Sequence, residues 1–319
     1  MKNKLIIALS LALLIALLVF MVKDFFFRKQ VNKNPYAFNL DSIRAGDTSL
    51  VVYKEVKSLK TSLDEIHGLA LDASGNIFVA GNGGVEILAQ GRTSGKVLKI
   101  GGNSLCIALS DKGIMYLGMD DHLELWSQEG KKLAEWETFG PESVITSIAL
   151  SGTSVFVADA GQKVVYHCDN SGKLLNKIGL KDPATGVPGF IIPSPYFDLA
   201  ISSDGYLWIA NPGRHQLEKY DFEGKLLKTW GKATMSMEGF CGCCNPSHFA
   251  FIYDSLFVTS EKAIERIKIY NADGSFRSVV AVPDQFDEGT KGLDLAIDKD
   301  NRILVLDPVK NLIRIFEPK

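Results

Sequence analysis

Gly68-Leu-Ala-Leu-Asp72 leads through Ser74-Gly75 into Asn76-Ile-Phe-Val-Ala80, and the same phrase returns five more times along the chain. Cys106-Ile-Ala-Leu-Ser110 precedes Gly113-Ile-Met-Tyr-Leu117, and Ser147-Ile-Ala-Leu-Ser151 precedes Ser154-Val-Phe-Val-Ala158. Asp198-Leu-Ala-Ile-Ser202 precedes Gly205-Tyr-Leu-Trp-Ile209, and His248-Phe-Ala-Phe-Ile252 precedes Ser255-Leu-Phe-Val-Thr259. The last copy is Asp294-Leu-Ala-Ile-Asp298 followed by Arg302-Ile-Leu-Val-Leu306. Successive starts lie 38, 41, 51, 50 and 46 residues apart, the spacing of propeller blades. Each copy continues with two more short apolar runs, such as Leu217-Glu-Lys-Tyr220 and then residues 225–230, divided by a hairpin turn like Asp169-Asn-Ser-Gly172. Helical periodicity is almost absent from these units, so the expected fold is all-β: six blades of four strands arranged in a ring.

The ends of the repeat predict how the ring closes. The sixth unit stops after its third run, Leu312-Ile-Arg-Ile-Phe316, and an orphan run, Ser49-Leu-Val-Val-Tyr-Lys-Glu-Val56, precedes the first. Pairing the orphan into the last blade completes it and removes exposed sheet edges.

These repeats resemble the NHL-repeat six-bladed propellers over roughly residues 49–319. The resemblance rests on the Gly/Asp-Leu-Ala-Leu/Ile-Asp/Ser entries, on Gly75-Asn-Ile-Phe-Val-Ala80, and on the Tyr-x-x-x-Gly ends at Tyr220 to Gly224 and Tyr270 to Gly274. The stretch from Phe240 through Ser260-Glu-Lys262 is similar to a subset of those proteins with a Cys-Gly-Cys-Cys-Asn-Pro loop. The architecture serves enzymes and binding scaffolds alike, so the resemblance implies a fold rather than an activity.

Ahead of the ring, residues 5–22 form an uncharged apolar run, about 27 Å long as a helix and close to hydrocarbon thickness. Lys2 and Lys4 precede it, and Lys23, Arg28 and Lys29 follow. A cleaved signal peptide competes with an uncleaved anchor. The run is long for a signal core and no small-x-small site follows it, which favours the anchor. The expected organisation is an anchor over 1–27, a linker over 28–48 and the propeller over 49–319. A short basic tail before a signal anchor stays inside, which places the propeller on the extracytoplasmic side of a single-pass membrane protein. A formal charge of −2 offers no footprint for nucleic acid.

The densest chemistry lies in Phe240-Cys-Gly-Cys-Cys-Asn-Pro-Ser-His248. Cys241, Cys243, Cys244 and His248 offer soft ligands, with Cys106 a fifth candidate across the ring, and the matching cofactor is zinc or copper. Two other chemistries stay open for the same residues: a disulfide staple across a long loop, and thiol redox. The residue before each inner-strand apolar-Ala pair takes an equivalent place around the channel: Gly68, Cys106, Ser147, Asp198, His248 and Asp294. Asp198 and Asp294 are therefore ligand-binding candidates, or else acceptors for backbone N–H groups. The longest inter-blade connections, 181–196 and 232–247, share a face with Arg214, His215, Glu261 and Lys262, which complete the candidate ligand site. Cys168 stands in the slot of Trp126, Tyr220 and Tyr270 and reads as core. His67 and His122 carry no specific signal.

These features favour a binding module for a protein, peptide or small molecule. The competing readings are a thiol-redox partner and a metal-dependent lyase or hydrolase-like propeller enzyme. Some NHL-type propellers, such as the amidating lyase domain, hold a catalytic metal with channel histidines. Of such a set this chain offers His248 and, beside the channel, His67.

Overall fold

The computed structural model describes residues 2–27, Arg44, 46–253 and 255–319. The chain divides into two units, residues 1–42 and 43–319. In the first, Lys2–Phe27 is one α-helix, and its window Ile6–Lys23 is long and apolar enough to cross a membrane. The linker expected over 28–48 lies almost wholly outside the described residues.

The second unit is a six-bladed β-propeller. Its inner strands are Ile66–Leu71, Cys106–Leu109, Ile145–Ser151, Leu199–Ile201, His248–Ile252 and Leu295–Ile297. Each touches the next, and the last touches the first, which closes the ring. The second strands, such as Leu207–Asn211 and Ile303–Asp307, are buried along their whole length. Sandwiched between neighbouring sheets, they have no face to give to water, which is why they read as continuous apolar runs rather than alternating ones. Turn aspartates fix the hairpins. Asp169 Oδ1 accepts from the backbone of Ser171 and Lys173, and Asp298 Oδ1 does the same for Asp300 and Arg302.

The closing strand forms as expected, four residues later than its sequence start. Tyr53–Lys60 pairs antiparallel with Leu312–Pro318, from Tyr53 opposite Pro318 to Lys60 opposite Leu312. Residues Thr48–Leu50 are instead a 3-10 turn capped by Asp47. Arg314 secures the seam, donating to Glu55 Oε2 at 2.6 Å across it. The first blade departs from four separate strands: Ile77–Leu88 runs as one element and supplies both its second and third positions. Cys168 is fully buried opposite Val155, as Tyr220 is opposite Leu207, so its reading as core holds.

Candidate functional site

Repeat equivalence places the inner-strand entry residues around one channel, a cavity of about 350 Å³ lined by Cys106, Ser147, Asp198, His248 and Asp294. Asp198 spans three blades. Its Oδ1 accepts from Ser147 Oγ at 2.6 Å and from the Leu199 N–H at 2.9 Å, and its Oδ2 accepts from the Phe249 N–H at 2.8 Å. Asp294 repeats the device at the closing seam, taking the Leu69 N–H at 2.7 Å and its own Leu295 N–H at 2.8 Å. Both carboxylates therefore latch adjacent inner strands, as their reading as backbone acceptors anticipates. His248 sits between them, with Nδ1 3.6 Å from Asp294 and 3.8 Å from Asp198. Burial pushes the Asp294 pKa up to about 6; His248 opposes the shift and the Asp198 charge adds to it.

Gly68 has a packing reason. A Cβ there would lie 2.9 Å from Cys106 Cα, so glycine lets the first two inner strands approach. Cys106 lines the same channel cavity as His248. Its sulfur packs over Gly118 of its own blade, where an added Cβ would lie 2.4 Å away, and burial raises its pKa. A three-histidine channel metal does not fit this ring, since His248 has carboxylates, Ser147, Cys106 and Gly68 as its ring equivalents.

Above the channel opens a wider funnel of about 540 Å³. Its walls are largely apolar, with Leu105, Val144 and Val309 among them, and its polar groups are Glu65, His67, Thr146, Tyr196, His248 and Lys291. His67, Thr146 and His248 line both cavities and so mark the floor. His67 Nε2 meets Asn82 Oδ1 at 2.9 Å, and Asn82 Nδ2 donates to Glu65 at 2.6 Å. That chain puts the proton of a neutral His67 on Nε2 and leaves Nδ1 as an acceptor. Tyr196 stands edge-on to His248 with centroids 6.0 Å apart, and Lys262 Nζ lies 4.6 Å from the centre of the Tyr196 ring. Sequence reasoning passed over Tyr196, Lys291 and Glu65. The available signal was connection length, since Tyr196 ends the flagged 181–196 segment and Lys291 lies in another long connection, 282–294.

The cysteine loop divides its residues among different tasks. Cys241 is buried: its N–H donates to Glu261 Oε2 at 3.1 Å, and Arg266 Nη2 reaches its sulfur at 3.2 Å. Glu261 is fully buried between Arg266 at 2.8 Å and Lys268 at 2.8 Å. Burial alone would raise its pKa, but the two cations lower it overall. Burial also brings Lys268 down to about 8, while it donates to the carbonyls of Gly239 and Met237. Asn245 closes the loop, donating to Cys241 O at 2.6 Å and accepting the Lys262 N–H at 2.9 Å. Arg214 donates to the carbonyls of Pro188 and Gly189, and His215 meets Gly242 O. Arg214 and His215 therefore brace the two long connections.

Cys243 and Cys244 remain at the lip. Their sulfurs are 3.0 Å apart, Cys243 is exposed and Cys244 buried, and all five cysteines carry free thiols. Burial would raise the Cys244 pKa, but hydrogen bonds from Cys243 and Ser194 and the Lys262 charge lower it overall. Among the described residues, Cys241, Cys243, Cys244 and His248 do not supply three donor atoms within 4.8 Å of one another. The group that does is His122, Glu124 and Glu135, and the Lys132 ammonium already bridges its two carboxylates.

No family model matches this chain, and no curated protein matches it. Solved structures do. Virginiamycin B lyase from Staphylococcus aureus is 12% identical with a TM-score of 0.59, over 84% of this chain and all of that one. A protein of unknown function from Bacteroides thetaiotaomicron is 11% identical with a TM-score of 0.60, over 84% of this chain and 72% of that one. The WD40 propeller domain of Doa1 is 15% identical with a TM-score of 0.55, over 80% and 79%. At such identities the likeness is one of fold, and the fold they share with this chain is the β-propeller.

Proposed function

We propose that this chain is a membrane-anchored, extracytoplasmic binding module of the NHL-repeat type, its ligand seated in the funnel over His248. The observation that carries the reading is the funnel itself: an apolar-walled cavity of about 540 Å³ with a few convergent polar groups. That is the usual make-up of a site for a small molecule or a short peptide. His67 comes from the first inner strand and Tyr196 and Lys291 from two separate connections, so a ligand touching all three is read by distant parts of the chain. The Cys-Gly-Cys-Cys-Asn-Pro loop, braced from beneath by Glu261, Arg266 and Lys268, forms a rigid lip. The apolar helix Ile6–Lys23 supplies the tether.

A second reading has one observation in its favour. His248 stands 3.6 Å from a carboxylate whose pKa of about 6 matches proton transfer near neutrality. A lyase is among the chains of similar fold, and one solved structure is its catalytically inactive form with Quinupristin. General acid–base chemistry at His248 on a funnel-bound substrate is therefore the alternative to binding alone.

The test is selection from a small-molecule and short-peptide library against the detergent-solubilised full chain, repeated with Tyr196→Ala and His248→Ala. Binders that lose at least tenfold in affinity in both variants support the funnel. Binders indifferent to both refute it. Chemical turnover of a selected binder, abolished in His248→Ala, moves the assignment to the enzyme.

A further inference from the structure

At the funnel lip, Cys243 and Cys244 form a vicinal dithiol whose surroundings suit sulfur exchange better than metal capture. The sulfurs are 3.0 Å apart, and Ser194 and the Lys262 ammonium lie beside the Cys244 sulfur. Lys262 is itself positioned, donating to Ser194 Oγ at 2.8 Å and lying over the Tyr196 ring. Asn245 pins its backbone to the cysteine loop. One thiol faces solvent while its neighbour is enclosed, the division of labour of an attacking and a resolving sulfur.

Three observations argue against a metal centre. With metal–sulfur bonds of 2.3 Å, sulfurs this close subtend only about 80°, well short of the tetrahedral angle. Among the described residues no third His, Cys, Asp or Glu donor completes a group with them within 4.8 Å. The fixed charge beside the pair is the Lys262 ammonium, which favours a thiolate and repels a metal cation.

We propose that Cys243 and Cys244 are a thiol–disulfide exchange site that reduces, or in reverse re-forms, a disulfide on a partner docked at the funnel lip. The Cys244 thiolate takes the proton of the exposed Cys243 thiol beside it, and the Cys243 sulfur then attacks one sulfur of the partner disulfide. A Cys243–partner S–S bond forms, the partner's own S–S bond breaks, and the released thiolate takes a proton. The Cys244 thiolate then attacks the Cys243 sulfur, closing a Cys243–Cys244 bond and expelling the second partner thiolate, which takes another proton. Two electrons pass from the pair to the partner, the Cys243 proton going by way of Cys244 to the first released thiolate and a solvent proton to the second; the reverse needs a partner dithiol. Lys262 and Ser194 act as positioning residues that hold Cys244 as the resolving thiolate. This goes beyond the binding role and does not depend on which ligand fills the funnel.

The test uses the full chain in detergent, freed of reductant and treated with an aromatic disulfide that releases a coloured thiol. The expected result is two coloured thiols released from the pair and a peptide 2 Da lighter that contains a Cys243–Cys244 link. In Cys244→Ser one thiol is released and the reagent stays on Cys243. In Lys262→Gln the second release slows about tenfold with the melting temperature unchanged. A lasting adduct on Cys243 of the unaltered chain, or no reaction there, overturns the proposal. So does protection of the pair by equimolar zinc, which would make it a metal site. Comparing glutathione disulfide with a protein disulfide as oxidant tells a small-molecule partner from a protein one, and failure with both counts against exchange.

Discussion

Replacing Asp294 with Asn separates two roles of the same carboxyl group, the latch between the last and first blades and the buried charge beneath the funnel. The side chain is 19% exposed, and its two oxygens serve the N–H groups of Leu69 and Leu295. An amide has one acceptor oxygen, so Asp294→Asn leaves one of these N–H groups unsatisfied, costing about 1–3 kcal/mol at any pH. The charge acts in the opposite direction. The folded pKa, about 6, is raised above the ordinary 3.8, so ionisation disfavours the folded state, and this cost builds up as the pH rises from about 4 to about 6 and is constant above that. By proton linkage the native residue then costs roughly 3 kcal/mol at pH 8 but only about half that at pH 5. The variant lacks that term, so relative to the native chain it should gain about 1–2 kcal/mol between pH 5 and pH 8. For a ring of this size that is a relative shift of about 3 °C in Tm. Thermal melts of both proteins at the two pH values make the comparison, and titrating groups remote from Asp294, unlike His248 and Asp198, cancel between them. Equal pH dependence in the two proteins refutes the placement of a raised, buried carboxyl at this seam.

Gly118→Ala should destabilise by about 1–3 kcal/mol, because the new Cβ lands on the Cys106 sulfur and crowds Ile145 Cγ2 at 2.9 Å; Cys106→Ala in the same chain should recover part of the loss in a thermal melt. Glu261→Gln leaves Arg266 and Lys268 buried without their counter-charge and should cost about 3–5 kcal/mol in denaturant unfolding, with faster hydrogen exchange over 237–245. At the closing seam, Leu59→Ala should cost about 2–5 kcal/mol, since Leu59 is 4% exposed, whereas Val52→Ala nearby, 45% exposed, should stay within about 0.5 kcal/mol.

The ring was legible because each blade writes its inner and second strands in nearly the same words, and those words encode burial on both faces. Closure was legible from an orphan strand and an unfinished sheet, although the strand begins at Tyr53 because Asp47 caps a 3-10 turn ahead of it. The first blade hid its merged strand because Gly81-Asn-Gly-Gly84 reads as an ordinary hairpin turn. The channel residues were legible by repeat alignment, since Asp198, His248 and Asp294 occupy equivalent places. Their duties were not: whether a carboxylate serves a ligand or a neighbour's N–H depends on the next blade, some 50 residues away. Glu261 misled for a related reason. Its burial is set by Arg266 and Lys268, and a surface turn would have the same local sequence. The funnel's Tyr196, Lys291 and Glu65 sit on connections outside the repeat, where no periodic signal marks them.

The most direct test of the account is the position of a bound ligand, obtained from a crystal structure of the propeller with a binder drawn from the library selection. The account predicts ligand density in the funnel, over His248 and in contact with His67, Tyr196 and Lys291. A binder seated on the outer strands, or on the face of the ring away from the cysteine loop, would contradict it.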